Sequence, residues 1–315
     1  MTGPVICNQV SPELTGPLAA HPSKPKVIEC FDTRTPWNIP AEAEILVTRF
    51  FEAWPTAPKV APDLPRLRFV QTFSAGVEAY PDWLLRDRLV SCGRGLTSDQ
   101  IAEYVMAAIM RVEKDIESFR VSKASDWRSR PMGRLSGRRL GLLGFGAIGQ
   151  AIMRRAQAFD MVVSAVRRSA WADTPPGLQA CSSAEELFAS CDHLVLAMPV
   201  TAQTRGMVNR ELLSCAKPGL HLINISRGAL LDQEALIAAL DAGEISSATL
   251  DVMTPEPPPE GHPLLGRPDV FVTPHISYAG GISELDKFCA RILANLDAYI
   301  EGRPLAEQVD FQRGY

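Results

Sequence analysis

The sequence predicts an α/β protein of two domains, in which a doubly wound parallel sheet is inserted into a smaller α/β domain. Short apolar segments alternate with polar or proline-rich connections over roughly the first hundred residues, and a second series of apolar segments fills the middle of the chain. Two long helical patterns, which begin near residues 97 and 283, lie on either side of that middle block. The 315 residues, 46% of them hydrophobic, suffice for two cores.

Each predicted strand is a short apolar run that ends in turn residues. In the first domain these runs cover residues 4–8, 26–31, 44–50, 67–72 and 89–93. In the middle block they cover residues 139–143, 161–166, 193–198, 220–225, 248–252 and 270–273. Helical patterns such as 148–158 and 233–240 separate several of the middle strands. Strands that alternate with helices predict a parallel sheet that is covered on both faces.

The two flanking helices are predicted from their caps and their apolar spacing. Thr97 and Gln100 fit a capping box, and apolar residues recur at helical spacing from there to Phe119. Ser283 and Asp286 form a second capping pair, followed by an apolar stripe that ends at Gly302. Each helix is therefore expected to pack one face against a core.

Composition excludes several classes of function. The 32 Lys and Arg against 36 Asp and Glu give a formal charge of -4, so nucleic acid is an unexpected partner. No apolar run approaches the roughly 20 residues of a membrane helix, and the N-terminal region has no basic segment typical of a secretion signal. The 7 cysteines are scattered without a C-x-x-C pair, which favours reduced thiols and a cytoplasmic protein.

A glycine-rich turn follows the first middle strand. The segment RRLGLL leads into Gly144, Phe145, Gly146, Ala147, Ile148 and Gly149, and a helical pattern begins there. In a Rossmann domain the first glycine permits a tight turn, the second lets the backbone approach a pyrophosphate, and the third packs helix against strand. The alternative is a glycine-rich turn that binds nothing. We expect a dinucleotide site here.

The next strand ends in a basic turn instead of an acid. NAD-binding sheets normally carry Asp or Glu about 20 residues after the glycines, to bind the ribose 2′-hydroxyl. Here MVVSAV runs into Arg167, Arg168 and Ser169, and the first carboxylate is Asp173. Because guanidinium groups bind a 2′-phosphate, this turn favours NADP(H) over NAD(H). The alternative is a solvated basic loop.

Three polar residues follow three different strands of the middle block. Arg227 follows HLINIS, Glu256 follows the strand that ends in LDV, and His275 follows VFVTP. Ligands of doubly wound sheets bind at the carboxyl ends of strands. An imidazole can transfer a proton there, a carboxylate can orient it, and a guanidinium can hold a carboxylate substrate. Each residue alone could equally be structural. The histidines do not pair at metal-ligand spacing, so we expect no metal.

The motifs together resemble those of a known family. LSGRRLGLLGFGAIG, MPVTAQTRGMVNRELL, INISRGALLDQEALIAAL, LDVMTPEPPPEGHPLL and VTPHIS are similar to successive signatures of the D-isomer-specific 2-hydroxyacid dehydrogenases. The Arg-Arg-Ser turn and the closing VDFQRGY look more like its glyoxylate/hydroxypyruvate reductase branch. The resemblance implies a flavodoxin-like substrate domain over 1–98 and 286–315, and a Rossmann dinucleotide-binding domain over 99–285.

The resemblance also implies roles for individual residues. Arg227 is expected to bind the substrate, His275 to be the general acid in reduction, and Glu256 to hydrogen-bond that imidazole. Asp251 would accept a hydrogen bond from the nicotinamide carboxamide. The remaining expected cofactor contacts lie in the matching segments and are Met198, Pro199, Thr204, Ile225 and Ser277. The first-domain loop with Ser74, Ala75, Gly76 and Val77 resembles the family's carboxylate-binding loop, although an ordinary turn is the alternative.

Two departures from the family pattern leave the substrate open. Met253 stands where an aromatic residue is common, and Ser277 with Tyr278 replaces the small residues that often follow the histidine. We expect reduction of a small 2-keto acid, of the glyoxylate or hydroxypyruvate type, to a D-2-hydroxy acid with NADPH. The alternatives are a dinucleotide-sensing, corepressor-like binding protein and a formate- or phosphite-type dehydrogenase of the same fold.

The first long helix also predicts the assembly. Its broad apolar face includes Tyr104, Met106 and Ile109, and a single domain is not expected to cover all of it. The resemblance likewise implies a second copy of the chain. We therefore expect a homodimer.

Overall fold

A computed structural model describes residues 3–279 and 283–311, and the chain divides into two compact units. Unit 1 is Met1–Leu96 with Gly281–Tyr315, and unit 2 is Thr97–Gly280. The boundaries that the sequence suggests, after residues 98 and 285, lie a few residues from these divisions.

Unit 1 contains a five-stranded sheet in which every pairing is parallel. Its strands, in chain order, are β1 (Val5–Asn8), β2 (Lys26–Glu29), β3 (Ile45–Thr48), β4 (Phe69–Thr72) and β5 (Leu89–Ser91). The spatial order β2-β1-β3-β4-β5 is that of flavodoxin-like sheets. The predicted flavodoxin-like architecture is therefore confirmed.

Unit 2 contains a seven-stranded sheet, again parallel throughout. Its strands are β6 (Arg139–Leu143), β7 (Val162–Val166), β8 (Leu178–Ala180), β9 (His193–Leu196), β10 (Leu220–Asn224), β11 (Ile245–Leu250) and β12 (Val270–Val272). The order β12-β11-β10-β9-β6-β7-β8 reverses direction at β6, which defines a doubly wound sheet with its switch point between β6 and β9. Strand β8 was missed from the sequence because it has three residues, two of them exposed.

The described residues also form eight α-helices. In chain order they are α1 (Thr15–Ala19), α2 (Asp82–Leu85), α3 (Ser98–Lys114), α4 (Ala147–Ala158), α5 (Ala184–Ser190), α6 (Arg210–Ser214), α7 (Gln233–Asp241) and α8 (Ser283–Ile300). Buried side chains of α8 pack on the unit 1 sheet, and those of α3 and α4 pack on one face of the unit 2 sheet. Helices α5 and α7 cover the opposite face of unit 2.

Helix α3 corrects three sequence expectations. The Thr97 side chain makes no capping hydrogen bond because its backbone, at ψ 16°, is not extended. The helix ends at Lys114 and not at Phe119, since Asp115 adopts a left-handed conformation at φ 38°. Met106 and Ile109 are 3% and 0% exposed within the single chain, so this face is already covered. The side chain of Ser283, the other predicted cap, lies outside the described residues.

No helix in the described part of the chain combines the length and apolar character that crossing a membrane requires.

Candidate active site

The glycine turn between β6 and α4 packs closely against the backbone of a neighbouring segment. Gly144 has a φ of 105°, and a Cβ added to it would lie 2.6 Å from the Ala197 carbonyl oxygen. Its N–H donates to the carbonyl oxygen of Val166 at 2.9 Å, which joins the turn to the end of β7. Only glycine fits this combination of conformation and crowding.

The same turn leaves room where a pyrophosphate would bind. A Cβ on Gly146 would meet nothing within 4 Å, whereas one on Gly149 would lie 3.0 Å from the Gly144 carbonyl oxygen. Gly146 is the N-cap of α4 and provides no side-chain cap, so the first N–H groups of the helix can bind an anion. These features fit a dinucleotide. The ring of Phe145 is buried, so only the backbone of that residue can take part.

The basic turn after β7 contains an organised arginine. Arg167 follows the last strand residue, and its Nε donates to the Ser169 carbonyl oxygen at 3.0 Å. Its Nη2 donates to the Ala170 carbonyl oxygen at 2.5 Å, while Arg168 and Ser169 are exposed. The Cζ of Arg167 lies 4.3 Å from the ring centroid of Trp171. Sequence reasoning missed Trp171, although a tryptophan that closes a basic turn was a usable signal.

His275 and Glu256 form a direct pair. The Nδ1 of His275 lies 2.8 Å from Oε2 of Glu256, and the Met253 N–H donates to the other carboxylate oxygen at 2.9 Å. With both oxygens bound, the carboxylate has a fixed orientation. Because a carboxylate accepts, Nδ1 is the donor and Nε2 is the ring nitrogen left for another partner.

Asp251 anchors the turn that carries His275. Its side chain is buried at the end of β11 and accepts hydrogen bonds from the N–H groups of Ile276 and Ser277, at 2.8 and 2.9 Å. The Thr273 hydroxyl donates a hydrogen bond to the same carboxylate at 2.6 Å. Its oxygen therefore accepts the hydrogen bond from the Tyr104 hydroxyl. Burial raises the pKa of Tyr104, which favours its role as a donor. The expected contact of Asp251 with a carboxamide stays a prediction.

The segment that carries Arg227 packs against the loop that carries Glu256. The next residue is Gly228, and a Cβ added to it would lie 2.1 Å from the Met253 carbonyl oxygen. This contact brings the segment after β10 against the segment after β11. The Arg227 Nη1 donates to the Ser226 carbonyl oxygen at 2.8 Å, and Asn224 donates its amide to the Arg227 carbonyl oxygen at 3.0 Å. Sequence reasoning also missed Gly228.

The other expected cofactor residues of unit 2 lie in the segments that follow β9, β10 and β12. Ser226 donates its hydroxyl to the Met198 carbonyl oxygen at 2.5 Å, which links the ends of β9 and β10. Thr204 donates its hydroxyl to the Pro199 carbonyl oxygen at 2.7 Å and so organises the loop after β9. Ile225 and Ser277 are buried, so their side chains offer little surface to a ligand.

The glycine loop of unit 1 follows β4. The Ser74 carbonyl oxygen accepts hydrogen bonds from the Thr72 hydroxyl and the Gly93 N–H, both at 2.9 Å. The Ser74 hydroxyl lies 3.1 Å from the Tyr80 hydroxyl. These contacts fix the start of the loop. The residues that follow are exposed (Ala75) or partly exposed (Gly76 and Val77).

Among the described residues, no cluster of three or more His, Cys, Asp or Glu side chains could hold a metal ion. Unit 2 thus combines a dinucleotide-binding turn with a paired histidine and carboxylate at the carboxyl edge of its sheet. This combination defines a dinucleotide-dependent oxidoreductase.

Comparison with known families gives the particular class. The family described as "D-isomer specific 2-hydroxyacid dehydrogenase, NAD binding domain" matches residues 104–277. The chain therefore belongs to the D-isomer specific 2-hydroxyacid dehydrogenases and is an NAD(P)-dependent oxidoreductase that acts on small 2-hydroxy or 2-keto acids.

Solved structures of the same family are similar over nearly the whole chain. A D-isomer specific 2-hydroxyacid dehydrogenase from Xanthobacter autotrophicus, in complex with NADPH and MES, is 27% identical with a TM-score of 0.82, covering 100% of both chains. A family protein from Aeromonas salmonicida is 27% identical with a TM-score of 0.80, covering 99% of this chain and 100% of that chain. A 2-hydroxyacid dehydrogenase from Ketogulonicigenium vulgare is 28% identical with a TM-score of 0.76, covering 98% and 99%.

Proposed function

We propose that the protein is an NADPH-preferring reductase of small 2-keto acids of the glyoxylate or hydroxypyruvate type, which gives a D-2-hydroxy acid where the product is chiral. The observation that carries this proposal is the contact of 2.8 Å between His275 Nδ1 and Glu256 Oε2 at the carboxyl edge of the sheet. A carbonyl reduction needs a proton donor at the oxygen, and this pair can supply one.

In this proposal His275 is the general acid. Glu256 holds Nδ1, so Nε2 of the imidazolium is free to give its proton to the carbonyl oxygen of the substrate. The carboxylate also stabilises the cationic ring before transfer. When bound, the reduced nicotinamide supplies the hydride to the carbonyl carbon. The Met253 N–H keeps Glu256 in place through the proton transfer.

Arg227 binds the substrate in this proposal. Arg227 belongs to a segment that packs closely on Met253 at Gly228. A guanidinium can hold a carboxylate with two parallel hydrogen bonds. Such fixing orients the carbonyl and accounts for part of the rate acceleration. In unit 1, we propose that backbone N–H groups of residues 74–77 bind a carboxylate.

The cofactor proposal rests on the turn after β7. It presents Arg167, Arg168 and Ser169 where an NAD-binding sheet has an acid, and Arg167 is held by two carbonyl oxygens. The similar protein from Xanthobacter autotrophicus was crystallised with NADPH. Both observations support NADP(H) over NAD(H).

Cytoplasmic location and a homodimer complete the proposal. All seven cysteines are free thiols, in agreement with a reducing compartment. Beyond α3, several large apolar side chains of one segment are exposed, and these are Ile116, Val121, Trp127 and Met132. Exposed apolar residues in such a series are typical of a surface that a second copy covers.

A panel of keto acids, assayed with NADPH and with NADH, tests the proposed function. We expect glyoxylate or hydroxypyruvate to give the highest kcat/KM, with NADPH preferred. Turnover of only larger 2-keto acids would contradict the proposed substrate class. Oxidation of formate or phosphite with NAD, without reduction of any keto acid, would contradict the proposed reaction.

A further inference from the structure

Trp171 lies over the guanidinium of Arg167 in the turn after β7. The Cζ of Arg167 is 4.3 Å from the centroid of the Trp171 ring, a distance at which a cation and an aromatic face attract each other. The same guanidinium donates through Nε to the Ser169 carbonyl oxygen and through Nη2 to the Ala170 carbonyl oxygen. A ring on one side and two carbonyl oxygens at the edge leave Arg167 little rotational freedom.

Trp171 is in turn fixed by the glycine motif. Its ring centroid lies 5.4 Å from that of Phe145, at a tilt of 53°, and Phe145 is buried in the core beneath α4. The Gly144 N–H donates to the carbonyl oxygen of Val166, directly before Arg167. The stack of Phe145, Trp171 and Arg167 therefore connects the dinucleotide-binding turn to the basic turn.

Part of the Arg167 guanidinium is left for a ligand. A guanidinium has five N–H donors, and Nε and one N–H of Nη2 are already used. The other N–H of Nη2 and both of Nη1 can bind phosphate oxygens. An arginine that is already ordered loses less side-chain entropy when it binds.

We propose that Trp171 is a positioning residue for the adenosine 2′-phosphate: it holds Arg167 in the conformation that binds this group and thereby sets the preference for NADPH. The inference rests on the proposed NADP(H) specificity. Trp171 acts through Arg167 and makes no essential contact with adenosine itself, so its loss affects only ligands that carry the 2′-phosphate.

Binding of cofactor fragments to the intact chain tests this role without turnover. Titration calorimetry compares 2′,5′-ADP, which carries the 2′-phosphate, with 5′-AMP, which lacks it. We expect Trp171→Ala to weaken 2′,5′-ADP by about threefold to tenfold, the scale of a cation–π contact and lost pre-organisation, and to leave 5′-AMP unchanged. Trp171→Phe should restore most of the affinity, and Trp171→Leu, which fills space without a π face, should not.

Two further variants make the result specific. Phe119→Ala removes an equally close stack, in which Arg130 Cζ lies 4.3 Å from the Phe119 ring, at another place in unit 2. It should change neither fragment's affinity. In the double variant Arg167→Ala with Trp171→Ala, the second change should have little further effect, because Trp171 acts through Arg167.

The outcomes separate this inference from the proposed function. Equal affinity of the wild-type chain for the two fragments overturns the NADP(H) proposal itself. A wild-type preference for 2′,5′-ADP that Trp171→Ala leaves intact overturns only the role of Trp171. Equal weakening of both fragments shows that Trp171 contacts the adenosine directly, which also overturns the inference. Full rescue by Trp171→Leu would do the same, because bulk alone would then suffice.

Discussion

The backbone N–H of His275 donates to the carbonyl oxygen of Asp251 at 2.8 Å and holds His275 at a φ of 52°. A left-handed conformation costs a residue with a side chain roughly 1 to 2 kcal/mol. The Asp251 carboxylate offsets this cost because it accepts the next two N–H groups, those of Ile276 and Ser277. The position of the imidazole is thus set by the buried end of β11, and Glu256 only has to orient the ring.

Removal of the imidazole should abolish most of the activity. We expect His275→Ala to lower kcat for keto-acid reduction by about 100-fold or more, the scale of a lost general acid. The affinity for NADPH should stay within a factor of about two, since the dinucleotide-binding turn lies elsewhere in unit 2. Steady-state kinetics and cofactor fluorescence titration measure the two quantities. Near-normal kcat in this variant would rule out His275 as the acid.

Replacement of the carboxylate tests the other half of the pair. Glu256→Gln keeps the size of the side chain and an oxygen that can accept from Nδ1, but it removes the negative charge that stabilises the imidazolium. We expect kcat to fall by about tenfold or more, with little change in the KM for NADPH. Glu260→Gln, an exposed change in the same proline-rich loop, is the matched control. Equal kinetics of the two variants would make Glu256 a structural residue.

Several elements of the site were predictable because their signals are local. A glycine at a crowded turn, an acid missing after β7 and polar residues after strands can all be found along the chain. The links that hold them together could not be found in this way. The contact of Gly228 with Met253, the bonds from Asp251 to the His275 turn and the stack of Trp171 on Arg167 depend on side-chain conformation or on pairing of distant segments. The missing Thr97 cap likewise depends on the backbone conformation.

The assembly prediction concerns the segment after α3. Met106 and Ile109 are buried within one chain, whereas several apolar residues beyond Lys114 are exposed, with Trp127 at 82%. We expect sedimentation at micromolar concentration to give a dimer of the 34.4 kDa chain. Trp127→Glu should shift the protein toward the monomer, because a charge would be buried in the interface. A wild-type chain that sediments as a monomer would contradict the prediction.

Two buried histidines predict how stability depends on pH. His193 and His221 lie near the starts of the neighbouring strands β9 and β10. Their imidazole rings are in contact, with the two Nδ1 atoms 3.1 Å apart. Burial lowers the pKa of His221 to about 3 and also lowers the pKa of His193. Glu113 contacts His193 at 3.1 Å and partly counteracts the second shift, while Arg138 adds to it. Both rings are therefore neutral in the folded chain at pH 7.

Because the pKa values of both histidines are lowered by folding, acid destabilises the folded chain. Below about pH 6.5 the unfolded chain takes up a proton at His221 that the folded chain does not, so the free energy of unfolding falls by about 1.4 kcal/mol per pH unit. The loss continues until the pH approaches the folded-state pKa near 3. Urea unfolding between pH 7.5 and 5 should show a smaller slope in His221→Gln than in the wild type. The same slope in both proteins would contradict the prediction, and His262→Gln, in a loop, is the control.

The basic turn after β7 predicts which cofactor the protein prefers. A hydrogen bond to a charged group contributes about 1.5 to 3 kcal/mol, so one good contact from Arg167 should favour NADPH over NADH by roughly tenfold or more in kcat/KM. Arg167→Asp with Arg168→Ala should reverse or abolish this preference, because Asp supplies an acceptor for the ribose hydroxyls and repels a 2′-phosphate.

Charge alone could also favour NADPH, and Arg154→Ala separates the two causes. Arg154 belongs to α4 of the same unit, its side chain is 64% exposed, and it pairs with Asp99. Its loss removes one positive charge from unit 2 without changing the turn after β7. We expect this variant to keep the NADPH preference within a factor of about two, since an exposed charge that is already paired with Asp99 interacts weakly with other groups and is screened by salt. If Arg154→Ala lowered the preference as much as the double variant at Arg167 and Arg168, the general charge of the unit and not the basic turn would select the cofactor.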